Sequence, residues 1–498
     1  MAISRRGFLT LSGTASAAVA LSACSAASRK IASDDLPESI HITGADAVIV
    51  RALNRAGYGP RPGDAAHAAG IGLAGWLEQQ LQPNSIDDPA ADLFVRNLNF
   101  YQRDVTDLLA QDYTDQTREL EMATIGRAIY SKRQLAEAMV EFWSDHFNIY
   151  LGKKEHMVSL KIVDDRDVIR PHALGKFRDL LFASAHSPAM MLYLDNLVNF
   201  KGAPNENYAR ELMELHTLSV HGLYTQTDIQ ELARALTGWR VYLNGRLDGQ
   251  FMFDADQHDF GAKTILGRMF PAGRGEEEVL KVLEILVTHP ATAKFIATKL
   301  ARRFVADDPP APLVEDVAQI YLATGGDIQA MLKTIFLSQE FASAPPRLKR
   351  PYAYMISALR ALHADVGLRG YRQLTDHWLH QMGQALYHWP PPDGYPDTSR
   401  KWAAGLLPRW NFGLALATDQ IEGVRVPFER LMEAGGVSDA AGAVEFFGGL
   451  LFSRPLSGPE RALFGAYVGG GKLTDGGVQQ RLKEAIGLMI ASPAFQWT

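Results

Sequence analysis

Asn207-Tyr208-Ala209-Arg210-Glu211-Leu212-Met213-Glu214-Leu215-His216-Thr217 is the densest polar run of the chain, and its spacing is helical. Tyr208, Leu212 and Leu215 recur three and four residues apart, which puts them on one apolar stripe. Glu211 and Glu214 lie three apart on a neighbouring face, while Glu206, Arg210 and Glu214 form a row at spacing four. Two acids one turn apart can hold a cation when both face inward, as in carboxylate-bearing helix bundles. They can equally be ordinary helix charges, with Arg210 pairing Glu206 or Glu214.

The next helical pattern begins at Thr227, where Thr227 and Gln230 fit a capping box. Ile229, Leu232, Ala233 and Leu236 form its apolar stripe, and Asp228, Glu231 and Arg234 share another face. The link from His221 to Thr225 is short, so the two helices should be antiparallel neighbours whose acids can meet. Beyond them, Arg240-Val241-Tyr242-Leu243, then Asn244-Gly245, then Phe251-Met252-Phe253 predict a small β-hairpin near 240–254. His258-Asp259 follows.

Candidate metal ligands are therefore Glu211, Glu214, Asp228, Glu231 and Asp259. His216 and His258 are candidate proton carriers, because imidazole titrates near neutral pH. Arg210 and Arg234 would orient the acids or bind an anionic substrate. Oxygen ligands suit magnesium, calcium or manganese, and added imidazole suits zinc or iron. Any one of these acids alone reads more readily as a structural ion pair; their density favours a site.

Outward from this segment the same period of three and four continues. Asp64 can cap a helix reaching Leu81, and a long amphipathic run extends from Asp104 to Phe147. Further helical patterns lie near 166–184, 187–198, 275–288, 290–305, 312–323, 327–339, 350–366, 371–387, 406–418, 439–451, 457–467 and 477–492. The fold class is mainly α: one large multi-helix domain over 46–498, which the β-insert could divide into two lobes. Trp389 to Pro396 is too rich in Pro and Gly for a helix. Trp389, Tyr395, Trp402 and Trp410 surround that loop, more as core packing than as a sugar platform. His146, closing the long run, is a second-rank candidate beside its aromatic neighbours.

The N-terminus carries an address. Ser4-Arg5-Arg6-Gly7-Phe8-Leu9 has the arginine pair of the twin-arginine export signal. The apolar stretch that follows is shorter than the roughly 20 residues a spanning helix needs. Leu21-Ser22-Ala23-Cys24 reads as a lipoprotein cleavage box, so residues 1–23 form a signal and Cys24 accepts the lipid. Residues 24–45, rich in Ser and Ala, read as a flexible tether. The expected location is extracytoplasmic, anchored to a membrane on the periplasmic side. Cys24 is the only cysteine, which leaves no internal disulfide for the mature chain and excludes iron–sulfur centres and thiolate copper.

Composition is that of a globular protein, 47% hydrophobic and 21% charged, with formal net charge -6. No basic stripe suggests nucleic acid. Gly-x-Ser-x-Gly, His-Glu-x-x-His and a phosphate loop after Gly57-Tyr58-Gly59-Pro60 are all missing, which disfavours standard serine hydrolases, common zinc proteases and P-loop enzymes.

Several segments resemble the bacterial family catalogued as domain of unknown function 1800. They are Leu53-Asn54-Arg55-Ala56-Gly57-Tyr58-Gly59-Pro60, Phe142-Trp143-Ser144-Asp145-His146-Phe147, and Pro204-Asn205-Glu206-Asn207 through Leu218. Ala233-Arg234-Ala235-Leu236-Thr237-Gly238-Trp239, His258-Asp259, His289-Pro290-Ala291-Thr292-Ala293 and the Pro-Pro-Asp-Gly-Tyr loop near Pro391 complete the set. Two departures from the family pattern stand at Ser219-Val220-His221-Gly222 and Gly394-Tyr395-Pro396. The resemblance implies an exported helical protein, often encoded beside a second twin-arginine-exported protein that looks like a sulfatase or phosphatase-fold enzyme. It implies fold and location rather than a reaction.

These readings lead to a metal-dependent hydrolase of the cell envelope acting on a polymer or polar substrate. The alternative is a non-catalytic lipoprotein that binds or matures a co-exported enzyme. A histidine–carboxylate iron protein is a third expectation.

Overall fold

The computed structural model describes residues 36–42, 44–243 and 248–498. Arg5, Arg6 and Cys24, the first part of the tether, and the Asn244-Gly245 turn lie outside the described residues. The chain is mainly α, with three two-stranded antiparallel sheets among the described residues.

Its buried side chains fall into two cores. The first gathers Ile49 to Leu81 and Leu135 to Ala344. The second gathers Ala90 to Tyr130 and Tyr352 to Phe495, with Ile40, Tyr58 and Ile162. The chain thus visits the second core early, returns to the first, and ends in the second. The hairpin of β1 (Trp239–Val241) and β2 (Phe251–Phe253) is in the expected place, in register Trp239 to Phe253. Trp239 and Val241 belong to the first core, so the insert does not divide the two. A second hairpin, β3 (Lys263–Ile265) with β4 (Arg268–Phe270), adjoins it.

Helix α1 (Ala47–Arg55) is capped by Asp46, which accepts from the Val48 amide. Helix α2 (Asp64–Leu81) begins after Gly63 at φ 94 and is interrupted at Gly72. Asp64 is its first helical residue; its carboxylate accepts from the Arg61 amide rather than closing the helix end.

The run expected as one helix from Asp104 to Phe147 is three: Val105–Leu109, α3 (Tyr113–Tyr130) and α4 (Gln134–His146). Asp112 caps the second start by accepting from the Thr114 amide. Buried Asp88 fixes the second break, accepting from the Ser131 hydroxyl at 2.6 Å and the Lys132 amide at 3.0 Å. Period alone cannot report such a break, because its cause sits more than forty residues away in sequence.

Helix α5 (Asn207–Glu214) stops well before 220. The His216 amide reaches Glu211 O, the Leu218 amide reaches Met213 O, and Ser219 turns left-handed at φ 70. Helix α6 (Gln226–Ala235) is capped by Thr225 and Asp228, so the capping box is Thr225/Asp228 and not Thr227/Gln230. The capping geometry takes Asp228 because its carboxylate returns to both the amide and the hydroxyl of Thr225.

The Leu53–Pro60 segment ties the cores together. Arg55 donates to the carbonyls of Phe304, Val305, Pro345 and Thr498. Tyr58 lies edge-on to Tyr352 at 5.3 Å, and its carbonyl accepts from Ser357. Gly59, at φ 88, offers its carbonyl to the buried Arg360.

Candidate functional site

Helices α5 and α6 are neighbours, as their short link requires. Their acids nevertheless divide into separate ion pairs. Arg210 lies 2.9 Å from Glu206 and 3.4 Å from Glu214. Glu211 is half-buried, and desolvation followed by the Glu214 charge raises its carboxyl above the ordinary range. Arg234 lies 2.8 Å from both Glu231 and Asp259. The Arg234 hydrogen bond holds Asp259 down at about 2. Asp228 serves the α6 cap and accepts from the Leu266 amide at 2.6 Å. The second hairpin thereby hangs on α6, with Glu231 accepting from the Thr264 amide.

The two histidines stand apart from these acids. His258 is buried, with Nδ1 at 2.6 Å from the Thr237 carbonyl and Nε2 at 3.2 Å from that of Arg274. The fully buried Lys263–Glu278 pair, 2.8 Å apart, lies beside it. His216 is buried among Phe147 and His146, and burial with the nearby Lys299 charge lowers its pKa to about 3. Its imidazole is therefore neutral through the physiological range. Among the described residues, no group of three or more His, Cys, Asp or Glu is arranged to hold a metal ion. Arg210 engages Glu214, Arg234 engages Glu231 and Asp259, and the α6 cap engages Asp228, which leaves Glu211 as the candidate ligand outside these pairs.

A second polar assembly, at the border of the two cores, was not anticipated from the sequence. Helix α4 places Glu137, Glu141 and Asp145 at spacing four on one face, while Leu135, Met139, Phe142 and Trp143 fill the first core. Helix α7 (Pro290–Phe304) and the start of α8 (Pro351–Ala361) supply the counter-charges. Arg303 lies 2.6 Å from Glu141 and 3.4 Å from Asp397. Arg350 lies 2.6 Å from Asp145, 3.2 Å from Asp397 and 3.7 Å from Glu141. Arg170 joins Glu137 at 2.9 Å to Asp165 at 2.9 Å. It follows a π-helical turn, Asp164–Ile169, of the kind that re-aims side chains within a helix.

The Pro-rich loop closes the assembly. Asn148 donates to the carbonyls of Trp389 and Pro391, and Tyr193 to that of Pro390. Gly394, at φ 74, packs so closely that a Cβ there would lie 2.0 Å from the Asp145 carbonyl oxygen. Trp389, Tyr395 and Trp402 stack in sequence, with Tyr395 and Trp402 buried as core.

Between these parts is a cavity of about 50 Å³ bordered by Tyr58, Glu137, Glu141, Ser144, Asp145 and Arg170. That is room for a few waters or one small polar group. Three buried atoms of its lining residues have no hydrogen-bond partner: Glu141 Oε1, Ser144 Oγ and Arg170 Nη2. Buried polar atoms are normally satisfied, so an acceptor, a hydroxyl and a cationic donor left open around one cavity mark a place for a ligand. Burial raises the Asp145 carboxyl to about 6, against the opposing pull of Arg350 and with help from Glu141 and Asp397. Desolvation outweighs the ion pair here because three carboxylates share two guanidinium groups.

The signal for this site was present as the acid row at 137, 141 and 145 within an otherwise apolar helix. It was masked because its partners come from residues 170, 303, 350 and 397.

A two-core helical protein, with a polar cavity walled by carboxylates and arginines between the cores, is the class that fold and site define. The chain belongs to the family described as protein of unknown function DUF1800, which matches residues 51–497. No curated protein and no solved structure matches the chain.

Proposed function

We propose that this chain is an exported, lipid-anchored envelope protein that hydrolyses a polar extracytoplasmic substrate at the cavity between its cores. The address rests on Arg5-Arg6 and on Leu21-Ser22-Ala23-Cys24. No helix of the described residues is long and apolar enough to cross a membrane, so anchoring would fall to the lipid on Cys24.

The observation that carries the chemistry is the set of three unpartnered atoms around one cavity. Glu141 Oε1 takes the proton of an attacking water as general base. Arg170 Nη2 donates to the oxygen on which negative charge develops. Asp145, half-protonated near pH 6, returns a proton to the leaving group. The cavity's size selects a small polar terminus of a substrate rather than a chain threaded through. The proton work falls to carboxylates on α4, in place of the α5–α6 acids engaged by arginine.

The second reading is a non-catalytic lipoprotein that binds or matures a co-exported enzyme. It is favoured by the same pairing of acids with arginine, which makes both networks structural.

The test uses the purified chain on isolated cell envelopes, measuring release of soluble fragments, beside a Glu141→Gln variant of matched thermal stability. Release by the wild type and its loss in the variant support hydrolysis. Equal release by both, or none by either together with a stoichiometric exported partner, favours the second reading. Labelling with a lipid precursor, lost in Cys24→Ser, tests the anchor separately.

A further inference from the structure

A groove on another part of the core border has a different character. Two adjoining cavities, of about 350 and 320 Å³, share Arg61, Arg360 and His363. One wall comes from the first core through α2 and Trp76; the other comes from the second through Ile129, Leu359 and Val426. Five basic side chains, Arg61, Lys132, Arg360, Arg425 and Arg430, line the pair, against the acids Asp64 and Asp365. His67 and His363 add two imidazoles. Positive charge thus concentrates in one place on a chain whose net charge is -6.

Arg360 forms the floor. It is 2% exposed, and its guanidinium donates to the carbonyls of Gly59 and Ile129, both at 2.8 Å. It pairs with Asp64 at 3.1 Å, whose side chain is 36% exposed and so screened by solvent. Burial first, and then the adjacent Arg61 charge, push its pKa down to about 9 against the pull of Asp64 and Asp88. The start of helix α2, ahead of its interruption at Gly72, opens on the same cavity, and Gly63 supplies no side chain to cap it. Helix N-termini favour anions, which adds to the field of the arginines.

We infer that this groove binds a ligand carrying two or more oxyanion groups, one in each cavity, on either side of Arg360. The shared chemistry is that of phosphate or carboxylate groups on an extended polar molecule. Two cavities of this size accommodate a short segment of such a molecule, and the basic side chains that line them supply the field that oxyanions complement. This inference does not depend on the hydrolytic reading above, since the groove shares no acid with that cavity.

The experiment is calorimetric titration of the full mature chain with inorganic tripolyphosphate and, separately, with tri-galacturonate, at low and at high salt. The charge-reversal pair Arg425→Glu/Arg430→Glu alters exposed side chains and leaves the buried Arg360 in place. Binding of at least one probe, weakened about tenfold or more in that variant and by added salt, is expected. A Lys281→Glu/Lys294→Glu control, on helices of the first core, should bind as wild type does. The stronger probe identifies the oxyanion as phosphate or carboxylate. Binding equal in the Arg425/Arg430 variant and wild type, or absent for both probes at millimolar concentration, overturns the proposal.

Discussion

Removing Arg350 should be far more damaging than removing any exposed charge. Its guanidinium meets Asp145 at 2.6 Å, Asp397 at 3.2 Å and Glu141 at 3.7 Å, and its side chain is 7% exposed. In Arg350→Met the hydrocarbon volume is kept while Glu141 and Asp397 retain Arg303 and Asp145 loses its guanidinium partner. Stripping one partner from a buried ion pair typically destabilises by about 3–5 kcal/mol. A whole domain is stable by roughly 5–15 kcal/mol, so about a fifth or more of the margin is at stake. The loss should depend on pH with a definite sign. Asp145, raised to about 6 in the wild type, would rise further without its guanidinium. An acid whose folded pKa exceeds its unfolded one loses stability as pH rises between the two values. The deficit of Arg350→Met should therefore shrink at pH 5 and be largest at pH 8. Urea unfolding followed by circular dichroism at both pH values measures it. A deficit under about 1 kcal/mol at pH 8, or one larger at pH 5, would refute the claim that desolvated carboxylates dominate this border.

Glu121, 8% exposed on α3, is raised to about 8 by burial and by the like charge of Asp376. From an unfolded value near 4.5, this group should cost the wild type about 3–4 kcal/mol as pH rises from 5 to 8, and Glu121→Gln should lack that part of the slope in denaturant titrations. Gly394→Ala meets both a left-handed φ and a carbonyl at 2.0 Å, so it should lower stability by about 2–3 kcal/mol and shift Trp389 fluorescence as the loop lifts. Asp88→Ala leaves the Ser131 hydroxyl and Lys132 amide without their acceptor and should cost about 1–3 kcal/mol in the same unfolding assay. Glu211→Gln with Glu214→Gln should leave metal content by mass spectrometry unchanged, since their surroundings hold arginine rather than further ligands.

Local rules carried the fold a long way. The stripe Tyr208, Leu212 is buried as its period requires, and Pro290 opens α7 with His289 accepting from the Ala291 amide. The alternating residues that flank Asn244-Gly245 announced β1 and β2, which pair in register, while the turn itself lies outside the described residues. What period could not report was long-range capture. Asp88 breaks a helix from far upstream, and the hairpin of β3 and β4 exists because Asp228 and Glu231 take its backbone amides. The partners of the candidate acids were hidden for the same reason. Density of acids in one segment is a local property, whereas occupancy by arginine is not. Arg234 could be seen as a neighbour of Glu231 three residues away, but not as the partner of Asp259.

The contrast between the two polar assemblies then decides where chemistry is best sought. In the α5–α6 region Arg234 satisfies Glu231 and Asp259 together, at 19% and 23% side-chain exposure, where solvent screens whatever remains. At the core border the acids are deeper, at 10% to 17%, and the bookkeeping of charges and hydrogen bonds is left incomplete at Glu141, Ser144 and Arg170. A folded protein stable by only several kcal/mol does not leave three buried polar atoms open without a compensating partner. Water alone can satisfy them, and then filling the cavity should stabilise. Glu141 also holds Arg303 at 2.6 Å, so Ser144 is the cleaner probe: Ser144→Ala would raise or preserve stability if its open hydroxyl serves only packing. If it serves function, the same change should raise stability while lowering envelope-fragment release, the usual opposition between a relaxed site and a working one. Stability lost together with release would instead make the open atoms part of the scaffold, and would remove the hydrolytic assignment from Glu141.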